Sequence, residues 1–416
     1  MSGAEPLAEV IRVEGSRIVA VLARSLGDLT LAEDALQDAA VAAVEVWGRT
    51  GAPADPAAWL YVAARRKALD VLRRESERPR RERDATALAD QLAPELPPPA
   101  VVQDDQLRLL FTCCHPSLEL DTQVALALRN LCGLTTAEVG RVLLVGEAAM
   151  SKRLTRAKRK ITVARIPFRV PGPEELPDRV AAVAAVVHLV YTAGHEASGQ
   201  DLVRADLCEE AIRLGRMLTD LLPGQLVAQG LLALLLLTDA RRPARTDATG
   251  ELVPLADQDR TRWDRAMIAE GLALLDRSLE ASEGLADPYQ LQAAISACHD
   301  RAPSFARTDW AEIARLYRFL AEIHPNPMVD INASVATGYV EGPAAGLAAL
   351  DGVAESARGH AWHAARGDLL ERAGRHDDAR AAFTRASALA PSGPERRHLE
   401  GRAAPGGPTR GGRPGR

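Results

Sequence analysis

Aromatic residues are scarce in this chain of 416 residues, at 4 % against 47 % hydrophobic residues overall. An apolar content carried by Ala, Leu and Val with so few rings favours helix packing over sheets, whose strands draw on aromatic and β-branched residues. Cysteine is sparse too. Cys113, Cys114, Cys132, Cys208 and Cys298 are odd in number and lack a framework spacing, which excludes a disulfide-stapled scaffold and points to reduced thiols. Cys113-Cys114-His115 offers metal-ligating residue types, but adjacent cysteines rarely chelate one zinc well and no second pair follows at ligand spacing, so no metal is expected. The first residues hold no charged-then-apolar signal pattern, and the apolar run from Leu231 to Leu237 is far too short to span a bilayer. A soluble, cytoplasmic chain with no membrane partner is the expectation. Phosphate-cradling patterns of the Gly-x-Gly-x-x-Gly and Gly-x-x-x-x-Gly-Lys-Ser/Thr types are absent, and no nucleophile–base pair or paired-carboxylate site emerges. No catalytic residue and no cofactor are expected.

The formal net charge of -5 argues neither for a polyanionic partner nor against one; its distribution says more. Arg65, Arg66, Lys67, Arg73, Arg74, Arg78, Arg80, Arg81 and Arg83 crowd one segment, and Lys152, Arg153, Arg156, Lys158, Arg159 and Lys160 another. Two basic islands in an acidic chain suggest a polyanion touched at two places.

Breaks in helical periodicity divide the chain into three blocks. The first runs from about Glu9 to Glu75. Its opening helix carries Ile11, Ile18, Val21 and Leu22 on one face, a second runs from Ala32 to Trp47, and a loop over Gly48 to Pro56 leads into a third with Pro56 in its first turn. A charged, then proline-rich stretch follows. The second block spans about Asp104 to Ala164, Pro167 to Pro173 closes it, and a third, Ala/Leu-rich block occupies about Leu176 to Arg397, with a polar loop from Asp239 to about Asp257.

In the second block, Thr135 and Glu138 make a capping-box signature for a short helix with Val139, Val142 and Leu143 inward. A tight turn is expected at Val145-Gly146. The next helix, from Glu147 to about Ala164, sets Met150, Leu154, Ala157 and Ile161 at helical spacing and leaves Ser151, Lys152, Arg153, Arg156, Lys158 and Arg159 largely on its outer faces. A short helix, a turn and a basic amphipathic helix fit the major groove of DNA; a solvated basic helix is the plainer alternative.

The first block decides between them by resemblance. The run from Ala32 to Asp38, Trp47, and then Ala58 through Glu75 resembles region two of extracytoplasmic-function sigma factors, and Thr135 to Ile161 resembles region four of the same family. Phe111 to Pro116, Arg165 to Pro171 and most of the third block are similar to the subgroup that carries a large helical, tetratricopeptide-like extension. One departure is His188 to His195, where the subgroup has an Asn-Glu-Gly-Tyr type of sequence, and no role is carried over to it.

The resemblance implies an all-α protein: region two at 9–77, a flexible linker at 78–103, region four at 104–165, a second linker at 166–177, the solenoid-like extension at 178–400 and a disordered tail at 401–416. It implies core RNA polymerase as partner, through the clamp helices of the largest subunit and the flap region of the second-largest, together with promoter DNA. Asp34, Gln37 and Asp38 are the implied polymerase contacts. Arg65, Arg66, Lys67, Arg73 and Arg74 would face the minus-ten element, where opened single strands need cations for phosphates and pockets or rings for bases; Gly48 to Asp55 would supply a base-reading loop. Trp59 lies on the apolar stripe and is expected in the core. Ser151, Lys152, Arg153, Arg156 and Lys158 would read the minus-thirty-five element, with Lys160 and Arg165 on phosphates.

In the extension, Gly367, Ala379, Phe383, Ala386 and Pro391 match one tetratricopeptide unit by spacing. Trp263, Tyr289, Trp310, Tyr317 and Phe319 are expected as packing between helices, and His188, His195 and His299 in or near cores. A regulatory action of this block on the sigma module in cis follows as an expectation, with an intramolecular contact between the two. A conventional helix-turn-helix regulator with a repeat-type sensor, and a scaffold whose working part is the solenoid, are the alternatives.

Overall fold

The computed structural model describes residues 4–75, 99–197 and 202–404. Among them are helices and a single bridge, Thr246 to Leu252, but no strand. Two compact units divide at Val190–Tyr191.

The first unit opens on three packed helices, α1 (Ala4–Leu26), α2 (Leu29–Thr50) and α3 (Pro56–Glu75). Gly27, in the left-handed region at φ 66°, lets the chain turn out of α1, and the Asp28 carboxylate accepts from Leu31 N to cap α2. Asp55 does the same for α3 through Ala58 N. Ile18, Leu22, Leu29, Leu60 and Tyr61 fill the core. Trp59 lies half-buried with its ring edge-on to Trp47, centroids 5.5 Å apart, so it borders the core instead of filling it.

Helix α4 (Pro99–Cys113) begins inside the stretch expected as a linker, with Pro99 at a first-turn position that suits it; residues 78–98 of that stretch lie outside the described residues. It packs on α1. Gln106 Nε2 donates to Ser16 Oγ, and the fully buried Asp105 carboxylate takes Arg24 at 3.1 Å and Arg108 at 2.5 Å. Burial pushes the Asp105 carboxyl up despite both guanidinium groups. Helices α5 (Leu120–Asn130), α6 (Thr136–Val142) and α7 (Glu147–Val163) follow. The two segments shared with the extension-bearing subgroup meet at the end of α4: Thr112 Oγ1 donates to the Pro167 carbonyl, and Arg179 Nη2 to that of Phe111. Cys113 and Cys114 are buried there, and burial raises the Cys113 thiol to about 12.

Helix α8 (Leu176–His195) runs across the division between units. By length and composition alone it would suffice to cross a bilayer, yet its Val180, Val183, Val186, Val187 and Val190 are fully buried within the protein. The second unit continues with α9 (Ala205–Leu221), α10 (Leu226–Asp239), α11 (Arg265–Ala281), α12 (Pro288–Arg301), α13 (Trp310–Ile323), α14 (Pro327–Val340), α15 (Pro343–Asp351), α16 (His360–Arg372), α17 (His376–Leu389) and α18 (Gly393–Ala403). Gly367 shows why the repeat needs a small residue: a Cβ there would lie 2.4 Å from the Phe383 ring. Trp362, one residue before the usual aromatic position, is buried and donates its indole N–H to the Leu350 carbonyl.

Two further expectations change. Residues 401–403, assigned to a disordered tail, belong instead to α18, which reaches Ala403, and Arg402 is buried, bonded to Asp368 and Glu371 and lying over the Phe383 ring; 405–416 lie outside the described residues. Phe319 is 46 % exposed beneath Arg315 and is no packing residue, whereas Trp310 stacks on Tyr339 at 3.9 Å and Trp263 is buried under Arg260.

His299 carries a pH signature. Burial, then Arg241 and Arg260, lower its imidazole to about 3, and its Nδ1 has no hydrogen-bond partner among the described residues. The unfolded chain would protonate His299 near pH ~6.5, so as pH falls below that value the folded state loses stability, by at most ~1.4 kcal/mol per pH unit. Asp300 beside it, raised to about 6 by burial, acts in the opposite sense but is common to both proteins in a comparison with His299→Gln. Thermal unfolding from pH 7 to 5 should therefore show the native chain losing stability relative to this variant. A constant gap between them would mean that His299 is not held neutral.

Candidate nucleic-acid and polymerase interfaces

The helix-turn-helix is built from local chemistry outward. Thr135 Oγ1 accepts from Glu138 N at 3.2 Å while the Glu138 carboxylate takes Thr135 N at 2.8 Å, closing the capping box. The turn differs from expectation. Leu144, 81 % exposed, adopts the left-handed conformation at φ 54°, and Gly146 serves as the N-cap of α7 at φ -58°. Gly140 is the glycine that the motif requires, since a Cβ there would meet the Val145 carbonyl at 2.6 Å. Met150, Leu154, Ala157 and Ile161 bury the inner face of α7.

On its outer face, Ser151, Lys152 and Arg156 are exposed, as are Lys160 and Arg165. Arg153 is half-buried, 4.0 Å from Asp121, and Lys160 reaches the Ser117 carbonyl. A cleft of about 630 Å³ opens beside them, walled by Arg153, Arg156 and Lys160 on one side and by Glu119 and Asp121 of the α5 N-terminus on the other. Lys158 is placed differently from its companions. Its ammonium is paired with the Glu33 carboxylate of α2, both side chains being largely buried.

The α3 cations Arg66, Lys67, Arg73 and Arg74 are exposed and Arg65 is half-buried. The loop over 51–55 is exposed apart from Pro53. Asp34, Gln37 and Asp38 stand exposed on α2, with Glu33 turned inward between them and the core. Sequence reasoning brought out the exposed charges and missed Glu33, Arg24 and Asp105, which join α1, α2, α4 and α7. The only available signal was that Glu33 and Asp34 are consecutive and cannot share one helix face.

Residues 10–78 match the family model for sigma-70 region 2, and residues 108–161 that for sigma-70, region 4. Residues 179–279 match a third model, a family of unknown function (DUF6596). Over 385 residues, 91 % of this chain and 90 % of the other, the sequence is 44 % identical to an uncharacterised protein of Rhizobium meliloti (strain 1021). The chain belongs to the sigma-70 family. It is a sigma factor of the extracytoplasmic-function type with a helical C-terminal extension, and it directs transcription initiation as a subunit that binds core RNA polymerase and promoter DNA. No solved structure matches it.

In this sigma factor regions 2 and 4 lie within one unit and are tied by Lys158–Glu33, Arg24–Asp105 and Gln106–Ser16. Removing one partner of such a pair costs between the ~1 kcal/mol of an exposed pair and the ~3–5 kcal/mol of a fully buried one. Glu33→Gln should accordingly raise amide hydrogen exchange in α7 of the free sigma factor while leaving the far-ultraviolet dichroism intact. Unchanged exchange would show that the pair does not hold the two regions together.

Proposed function

We propose that the two basic faces divide the promoter between them. In this reading Arg65, Arg66, Lys67, Arg73 and Arg74 on α3 hold the opened minus-ten strand, with the loop at 51–55, which is shorter than the sequence suggested because Gly48, Arg49 and Thr50 continue α2. Ser151, Lys152, Arg153, Arg156 and Lys158 on α7 read the minus-thirty-five duplex, while Lys160 and Arg165 meet phosphates. Asp34, Gln37 and Asp38 dock on the clamp helices of the largest subunit, and region 4 on the flap of the second-largest. The observation that carries the reading is the segregation of charge: each helix buries an apolar stripe and leaves most of its cations, or on α2 Asp34 and Asp38, facing solvent, with Lys158 and Glu33 turned toward each other instead. The chemistry is the polymerase's, and the sigma factor acts in the cytoplasm, at the nucleoid.

Engagement of both elements requires the regions to part. The elements are separated by about 25 base pairs, ~85 Å at 3.4 Å per pair, whereas the Lys158–Glu33 pair holds α2 and α7 in contact. The form with Lys158 bound to Glu33 is then the idle one, and Lys158 reaches DNA only after exchanging a carboxylate for a phosphate or base. The extension regulates this exchange in cis.

Run-off transcription with core polymerase tests the assignment. Lys152→Ala with Arg156→Ala should lower promoter-specific transcripts at least tenfold and flatten the salt dependence of binding by about one unit per lost phosphate contact; undiminished transcription would remove α7 as the reader. Truncation after His195, which retains the Arg179–Phe111 bond, should change promoter-specific output severalfold. Equal output and equal polymerase affinity would eliminate regulation in cis.

A further inference from the structure

The extension contains a cleft of about 250 Å³ between the end of α8, the end of α10 and the loop at 252–258. Its polar wall is His195, Thr238, Arg241, Arg245 and Gln258. Arg241 is committed: its guanidinium lies 3.2 Å from the Asp300 carboxylate and also meets the Ser296 carbonyl. Neighbouring Arg242 is spent on Asp239 and Glu209. Arg245 differs. It is largely withdrawn from water, its Nη1 donates to the His195 carbonyl at 2.6 Å, and among the described residues no carboxylate lies within ion-pair distance of it. Glu196 and Glu395 act on it only at longer range, and burial lowers its guanidinium. A guanidinium has five donors in a planar fork, and its removal from water without a counter-charge is costly. On the same wall, Gln258 gives its Nε2 to the Val253 carbonyl and keeps a buried Oε1 without a hydrogen-bond partner among the described residues.

We propose that this cleft is a binding site for a small organic oxyanion, whose phosphate or carboxylate pairs with the Arg245 fork and whose hydroxyl donates to Gln258 Oε1. The volume equals about eight waters at ~30 Å³ each, and lies below the ~300 Å³ at which pockets begin to admit drug-sized ligands. It therefore suits a metabolite of a few carbons. His195, Cys208 and Asp239 converge in the same corner, with donor atoms within 4.8 Å of one another, and raise the competing idea of a cation. Their surroundings oppose it. His195 Nδ1 faces the Tyr191 hydroxyl at 3.2 Å, Asp239 is held by Tyr191 and Arg242, and Arg241, Arg242 and Arg245 surround the group with positive charge. Binding of the anion does not presuppose regulation in cis; it goes beyond that reading and is measured without transcription.

The test is calorimetric titration and thermal unfolding of the full chain with inorganic phosphate, glycerol 3-phosphate and citrate, each against sodium chloride at equal ionic strength. Saturable binding of at least one probe is expected, with Kd raised at least tenfold by Arg245→Gln. Arg245→Lys, which keeps the charge and loses the fork, should also weaken binding, and serves where Arg245→Gln does not fold. Gln258→Met should weaken the hydroxylated probes more than inorganic phosphate. Tighter binding of an organic probe assigns the site to a metabolite, and equal or tighter binding of inorganic phosphate assigns it to the free ion; either supports an oxyanion site. The proposal is overturned by the absence of saturable binding, by binding that both Arg245 variants leave unchanged, or by a response to zinc alone that Cys208→Ser abolishes.

Discussion

Helices built from Ala, Leu and Val pack closely but carry little that distinguishes one register from the next, and this protein sets its registers with charge pairs taken out of water. Asp105 with Arg24, Glu33 with Lys158, Asp300 with Arg241, and Asp368 and Glu371 with Arg402 each join elements that apolar contact alone would leave free to slide. Such pairs add little net stability, because desolvation cancels most of the attraction. Their effect is conditional. A helix displaced from its place leaves a charge stranded, so the arrangement is favoured less by what it gains than by what its alternatives lose.

That conditional character suits a sigma factor. A wholly hydrophobic contact resists separation in proportion to its area, whereas the Lys158–Glu33 tie between α7 and α2 can be exchanged for another pairing of the same signs. On the proposed reading, a promoter phosphate replaces Glu33 as partner to Lys158 while the acidic face of α2 meets the polymerase. One helix thus carries Glu33 inward as a tie and Asp34, Gln37 and Asp38 outward.

The local levels of this organisation were legible in the sequence. The capping box at Thr135–Glu138, the apolar stripe of α7, the Pro56 start of α3 and the Gly367–Phe383 fit are each set by residues a few positions apart, or by a repeat whose spacing is fixed. What escaped has another origin. Nothing near Lys158 reveals that its partner lies 125 positions earlier, and Arg402 sits among Gly, Pro and Arg residues that read as a tail while its carboxylates lie 31 and 34 positions away. The turn was mislocated for a related reason. Gly146 drew attention as the flexible residue, but the strained position fell on Leu144, and glycine was required at Gly140, where the Val145 carbonyl approaches too closely for any Cβ.

The extension shows how burial and pairing can be separated. Arg402 and Arg245 both lie largely within the protein, yet Arg402 has two carboxylates and the Phe383 ring, and its charge is accounted for within the fold. Arg245 has a backbone carbonyl and lies in the wall of a cleft. A largely buried cation with no carboxylate in ion-pair contact costs stability in every folded molecule. The position makes physical sense if the missing negative charge arrives from outside. In that case the polar loop at 239–257, which read as a mere interruption between helices, is the part of the extension that makes a cavity out of a helical stack.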